Sequence, residues 1–274
     1  MNNRFRFLPI LAVILIAAFT YFNSEKFTNP ETGKTARVGL SESQEAQLGL
    51  QSYQQVIAES QGHLKNSGPD YDRVVRVARR LAQSTGDEGK KFQWAVSLVD
   101  SPQVNAFCLP GGKIVVYTGI LPVAQNDAQL ATVMGHEMAH ATSRHGSQRL
   151  LQTKLTNTVV SGAQISMAGM DPGQQQAIMG AIGAGAQYGL LLPFSRGHEE
   201  EADYIGLLYM ARAGYDPQEA IKLWQHMSQV AGKGQKPPEF ASTHPSDETR
   251  IQRLTAEMPK ALEEYNKSPL KNQP

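Results

Sequence analysis

The chain has 274 residues, enough for one sizeable domain with a small extension. Its 26 basic and 25 acidic side chains nearly cancel, and no basic block or aromatic-interleaved basic stripe occurs, which argues against nucleic acid as a partner. A single cysteine, Cys108, excludes zinc-ribbon chemistry and any disulfide within the chain.

At the N-terminus, Arg4 and Arg6 precede an uncharged apolar run from Leu8 to Phe22. This pattern predicts a signal peptide or signal anchor over residues 1–26. No A-x-A cleavage site follows, which favours an uncleaved anchor through which the chain meets a membrane. With the arginines on the cytoplasmic side, everything after Lys26 is exported. Residues 27–40 are polar, with Pro30 and Gly33, and read as a tether. Ser41 is placed to cap a helix running to about Gln61. A second helix is expected from Asp70 to about Ser84, with Arg73, Arg76, Arg79 and Arg80 forming a solvated face.

From Phe92 the period changes. Phe92, Trp94, Val96 and Leu98 alternate with other residues, as a half-buried strand does. Val104 to Leu109 and Lys113 to Thr118 are two further strand candidates around the turn Pro110-Gly111-Gly112. Cys108 falls in the first of these and reads as a buried thiol. A free edge on such a sheet can hold an extended peptide as one more strand.

The segment Gln129 to His145, QLATVMGHEMAHATSRH, then contains His136-Glu137-Met138-Ala139-His140. Four residues apart on a helix, both imidazoles project from one face and can share an ion. Asn126 or Asp127 can cap this helix, and Leu130, Val133, Met134 and Ala141 give it an apolar stripe. H-E-x-x-H on a helix reads as two zinc ligands, His136 and His140, with Glu137 as general base. A catalytic zinc site needs a third protein ligand. Ser143 and Gly146 stand where a metzincin would have its glycine and third histidine, so that route is closed. His145 lies five residues past His140 and is expected at the surface or as a cap.

Residues 150–192 are rich in glycine and alanine. Close-packed helices or a cover over the site are expected there rather than a membrane span at Ala177 to Leu192. A second site helix opens at Ser195-Arg196-Gly197-His198-Glu199-Glu200-Glu201-Ala202-Asp203 and should stop near Gly214. Consecutive glutamates point about 100° apart, so one alone can face the metal. Glu199 is the choice, because Asp203 follows four residues on along the same face and can accept the other ring N–H of a ligating histidine. Glu201 is the alternative, and Glu200 is expected to be solvated. Ala202 and Gly206 are small enough to let the two helices approach closely. Near the C-terminus, His244-Pro245-Ser246 precedes a helix expected from Asp247 to Met258, and residues 263–274 form a polar tail.

These elements make an α+β chain, mostly helical with a small mixed sheet before the HExxH helix. HEMAH, SRGHEEEAD, the strand region NAFCLPGGKIVVYTGIL and THPSDETRI together resemble the M48 family of zinc metallopeptidases, within the gluzincins, over about residues 41–262. The resemblance implies a zincin-like fold. It implies one zinc ion per chain on His136, His140 and Glu199, catalysis by Glu137 and support from Asp203. Similar histidines in the family are assigned either to the oxyanion or to the fourth zinc position of a latent state, and His244 takes one of these roles. Arg250 could also reach inward, and it or His244 would stabilise the charge that develops on the carbonyl oxygen. The likeness is greatest to exported bacterial members acting in envelope protein quality control, which are related to a mitochondrial inner-membrane protease. The expected activity is therefore metalloendopeptidase action on misfolded or misassembled envelope proteins, at the periplasmic side of the inner membrane or in the periplasm. The competing expectation is a membrane-tethered chaperone or assembly factor with a structural or latent zinc site.

Overall fold

The computed structural model describes residues 8–167, 171–173, 194–233, 239–244 and 249–271. The chain forms two compact units, one of Met1–Thr28, Lys34–Ser41 and Gly146–Leu192, the other of Asn29–Gly33, Glu42–His145 and Pro193–Pro274.

In the first unit, helix α1 (Leu8–Asn23) is 16 residues long. No helix among the described residues is long and apolar enough to cross a membrane. Arg4, Arg6 and the two phenylalanines between Met1 and Leu8 lie outside the described residues, as does the Ala177 to Leu192 stretch. The segment expected as a tether contains an antiparallel pair, β1 (Glu25–Thr28) with β2 (Thr35–Val38). Burial of Phe27 and Val38 anchors it, a signal too sparse to stand out in a polar run.

The second unit carries the sheet and the paired site helices. Helix α2 (Glu42–Glu59) precedes a two-residue strand, β3 (Leu64–Lys65), too short to leave a sequence signal. Helix α3 (Pro69–Ala82) buries Val74, Val77, Ala78 and Leu81, and α4 (Gly86–Lys90) follows. The arginines of α3 are not simply a solvated face. Arg73 and Arg76 both pair with Asp127, at 2.9 and 2.7 Å, and Arg80 donates to the carbonyls of Ala213 and Leu270. They staple α3 to neighbouring elements.

Strands β4 (Ala95–Val99), β5 (Ala106–Leu109) and β6 (Lys113–Tyr117) complete a mixed sheet ordered β3-β4-β6-β5. Gly111 and Gly112 take positive φ (77° and 86°) in the β5–β6 turn, where a side chain would be strained. β5 is one edge of this sheet and β3 the other. Tyr117 N–H donates to Asn105 O at 3.1 Å, so the paired positions of β5 are odd-numbered. The backbone groups of Ala106 and Cys108 therefore point away from the sheet.

A 3₁₀ turn at Thr118–Ile120 leads into α5 (Asp127–Thr142). Its cap is Asn126, whose Oδ1 accepts from Gln129 N–H at 2.9 Å. The expected apolar stripe is only part of what is covered, since every residue from Gln129 to Thr142 is buried. The reason is position: α5 packs against β5, α3, α7 (Arg196–Arg212) and α8 (Glu219–Lys233). Helix α6 (His145–Ser166) follows α5 directly. Ser195 caps α7, accepting from His198 N–H at 3.2 Å, and Gly214 (φ 77°) ends it. A short α9 (Glu239–Thr243) and α10 (Arg250–Lys267) close the unit. Residues 245–248, with the expected cap Ser246, lie outside the described residues. α10 runs through Pro259 instead of ending at Met258, because Leu254, Met258 and Ala261 continue one buried stripe across it.

Candidate active site

Helices α5 and α7 cross with small residues between them, Gly135 on one and Ala202 and Gly206 on the other. That close approach brings two pieces of sequence 59 or more residues apart to one point. His136 Nε2 and His140 Nε2 lie 3.1 Å apart. Glu199 from α7 reaches both, Oε2 at 3.5 Å from His136 Nε2 and Oε1 at 3.3 Å from His140 Nε2. His244, at the end of α9, adds Nδ1 at 3.0 Å from Glu199 Oε1 and 3.2 Å from His136 Nε2. One potential ligand atom from each of these four buried residues lies within 4.8 Å of all the others.

The donor chemistry of the cluster fits a divalent ion. His136 Nδ1 is 2.9 Å from Asp203 Oδ1, which holds a proton on Nδ1 and leaves Nε2 as the nitrogen that would bind a metal. Two imidazole nitrogens and a carboxylate converging on one point are a zinc-type ligand set. Glu137, also buried, has an Oε1 with no hydrogen-bond partner, although His244 Nε2 is 3.3 Å away. An orphaned carboxylate oxygen beside a ligand cluster is placed to meet a polarised water.

The charges confirm how tightly the groups are coupled. Burial opposes ionisation of Glu199, yet the three histidines around it hold its carboxyl far below the usual range. Burial also opposes the charged form of His136, but Asp203 and Glu199 outweigh it and raise the ring to about 9. His140 goes the other way, pushed well down by burial. Burial raises Glu137, against the pull of His244 and His136, which moves this carboxyl toward the range useful for proton transfer. The backbone of Cys108 on the edge strand favours the charged form of the same carboxyl. Cys108 itself is partly buried in the residue sense, with a thiol raised well above its ordinary value by burial.

Three further residues have places that the sequence leaves open or assigns otherwise. Arg250 does reach inward, but behind the cluster. Its Nη2 donates to Glu199 Oε2 and its Nε to Asp203 Oδ2, both at 2.6 Å, while the guanidinium stacks 3.8 Å from the Trp224 ring centre. It is committed to two carboxylates and so is not free for an oxyanion. His145 is not at the surface: it is fully buried, with Nδ1 2.9 Å from His140 Nδ1. The expectation assumed an unbroken helix, whereas Arg144 takes a left-handed φ of 56° and turns His145 back under His140. Glu201 faces away from the cluster, accepting from Asn29 Nδ2 at 3.0 Å and Thr32 Oγ1 at 2.7 Å. Glu200 is exposed.

Comparison with known proteins agrees with this geometry. A model described as peptidase family M48 matches residues 70–258. The chain is 33% identical over 258 residues to a mitochondrial metalloendopeptidase OMA1 of Schizosaccharomyces pombe, covering 93% of this chain and 73% of the relative. It is 32% identical over 272 residues to the Danio rerio metalloendopeptidase OMA1, covering 96% and 56% respectively. A beta-barrel assembly-enhancing protease of Escherichia coli O157:H7 is 30% identical over 251 residues, covering 88% and 50%. The chain thus spans about half the length of the last two.

Proposed function

The chain belongs to peptidase family M48, and from that premise we propose that it is a zinc-dependent endopeptidase that cuts exported polypeptides. His136, His140 and Glu199 would hold the zinc, with Asp203 and Arg250 fixing two of the three. The observation that carries the reading is the convergence of two imidazole nitrogens, 3.1 Å apart, on a carboxylate supplied by a different helix.

When bound, such an ion polarises a scissile carbonyl and lowers the pKa of an adjacent water. The remaining work belongs to the protein. Glu137 takes a proton from the attacking water on its unpartnered Oε1 and delivers it to the departing amine. The β5 edge lies beside Glu137, which its Cys108 backbone meets, and the Ala106 and Cys108 carbonyls can accept from the N–H groups of an extended substrate. Ala106 N–H is met by Asn105 Oδ1 at 2.9 Å, so the edge offers acceptors more than donors. His244 places Nδ1 among the ligand atoms, which supports its reading as a latching fourth ligand over an oxyanion donor. An oxygen of Glu137 held ready for a proton is what a purely structural site in a chaperone would not need.

Export rests on the arginine-flanked apolar start of the chain. Helix α1, at about 1.5 Å per residue, is short of the ~30 Å hydrocarbon core, so a signal sequence is its simplest use and a single-pass anchor would need residues before Leu8. Envelope proteins as clients, and a periplasmic location, are our reading of the export pattern at residues 1–26 together with the bacterial relatives named beta-barrel assembly-enhancing protease. The deciding experiment is digestion of unfolded casein with and without a chelator, alongside zinc content by mass spectrometry. Cleavage indifferent to the chelator would overturn the reading.

A further inference from the structure

The second ligand histidine has a support that neither the H-E-x-x-H motif nor the Asp203 contact accounts for. His145 is completely buried, and its Nδ1 stands 2.9 Å from His140 Nδ1. If His140 turns its Nε2 lone pair to a metal, its one proton sits on Nδ1 and donates to His145 Nδ1. The His145 proton is then fixed on Nε2. That nitrogen has no hydrogen-bond partner and points toward Glu201, whose Oε2 is 3.6 Å away. The separation is too long for a hydrogen bond but close enough for the carboxylate charge to favour an N–H there.

Glu201 is held for this in turn. Asn29, itself 3% exposed, donates to both Ser143 Oγ at 2.9 Å and Glu201 Oε1 at 3.0 Å. Thr32 adds a second donor to Oε1 at 2.7 Å. The His198 ring stacks on His145 with centroids 4.4 Å apart and planes 22° apart, fixing its plane. On the other side of the chain, Arg144 Nε donates to Glu45 Oε1 at 2.9 Å, and this buried pair secures the left-handed residue that turns His145 inward.

We propose that His145 and Glu201 are positioning residues for His140, a histidine–carboxylate chain that sets its tautomer and ring direction as Asp203 does for His136. The inference rests on the zinc reading above. Partners of this kind in known metal sites contribute about 10–100-fold to metal affinity. His145 can do so only through its acceptor nitrogen, which distinguishes positioning from mere filling of space.

The test is zinc affinity of the full chain by competition with a chromogenic chelator, with His145→Phe, His145→Gln and Glu201→Gln compared to the unaltered protein. Phenylalanine keeps the ring and removes the acceptor, whereas glutamine loses the ring and keeps an acceptor oxygen. Positioning predicts zinc affinity about 10–100-fold weaker for His145→Phe, a smaller loss for His145→Gln, and several-fold weakening for Glu201→Gln. A space-filling role predicts the opposite order, with phenylalanine the milder change. Affinities within about twofold of the unaltered chain in both His145→Phe and Glu201→Gln would overturn the proposal. Should the unaltered protein bind no zinc, the ligand assignment fails instead, and the two failures are distinct. If His145→Phe does not fold, Glu201→Gln reads the same chain one step further out.

Discussion

Gly135 and Gly206 meet backbone to backbone where α5 crosses α7, and a Cβ on Gly206 would stand 2.8 Å from the His136 amide nitrogen. No side-chain movement can relieve a clash with main-chain atoms. Gly206→Ala is therefore expected to force the helices apart at the cost of roughly 1–3 kcal/mol. Because Asp203 and Glu199 ride on the displaced helix, zinc affinity should fall together with the melting temperature. An alanine variant unchanged in both would show that the crossing does not set the spacing of the cluster.

Glu137→Gln keeps the shape of the side chain and removes its basicity. Zinc content should stay at one per chain while casein cleavage drops by about 10²–10⁴-fold. Metal analysis and a fluorescent casein assay on one preparation check both halves. Wild-type activity in this variant would remove Glu137 from the mechanism.

His244 lies with Nδ1 in the ligand cluster and Nε2 3.3 Å from Glu137 Oε1, the place of a latching ligand in the reading proposed above. His244→Ala is expected to raise the rate of casein cleavage, with zinc retained by the other three ligands. A fall in kcat with unchanged zinc would instead assign His244 to stabilising the transition state.

Arg250 is 1% exposed and neutralises two carboxylates at once. Arg250→Met leaves both charges buried without a cation, which typically costs about 3–5 kcal/mol. Urea denaturation of the metal-free protein should reveal the loss. Lysine should restore only part of it, since a single ammonium cannot fork to Glu199 and Asp203 together.

Glu219 joins α8 to the start of α5, accepting from Asn126 Nδ2 and Gln129 Nε2 at 2.8 Å and pairing with Lys222. Burial resists its ionisation, but these donors lower its carboxyl to about 2. A folded-state pKa below the unfolded value stabilises the fold above about pH 4.5, and that contribution fades as pH falls toward 2. Solvent screening reduces it to roughly 1 kcal/mol. Glu219→Gln should therefore melt lower than the unaltered chain at pH 7, with the gap closing between about pH 4.5 and 2. A gap constant across that range would place the effect in packing.

What could be read from the sequence followed from periodicity and spacing. The α5 and α7 helices carry caps, a four-residue repeat of functional side chains and small residues at the crossing, all local signals of a shared face. The edge strand was similarly visible through its glycine turn. His145 was not, because its place depends on a left-handed arginine, and nothing in Ser143-Arg144-His145 advertises that conformation. The buried fork of Arg250 was hidden for a different reason. An arginine near a helix start looks solvated until its two distant carboxylates are brought to it by the fold. The β1–β2 pair leaves little trace in the sequence because only Phe27 and Val38 among its residues are well covered.

The loop that holds Glu201 has a practical consequence for handling this enzyme. A soluble fragment beginning at Ser41, which the helix caps alone would suggest, discards Asn29 and Thr32 and strips Glu201 of both donors on Oε1. A shortened chain keeps both of these donors only when the cut falls ahead of Asn29.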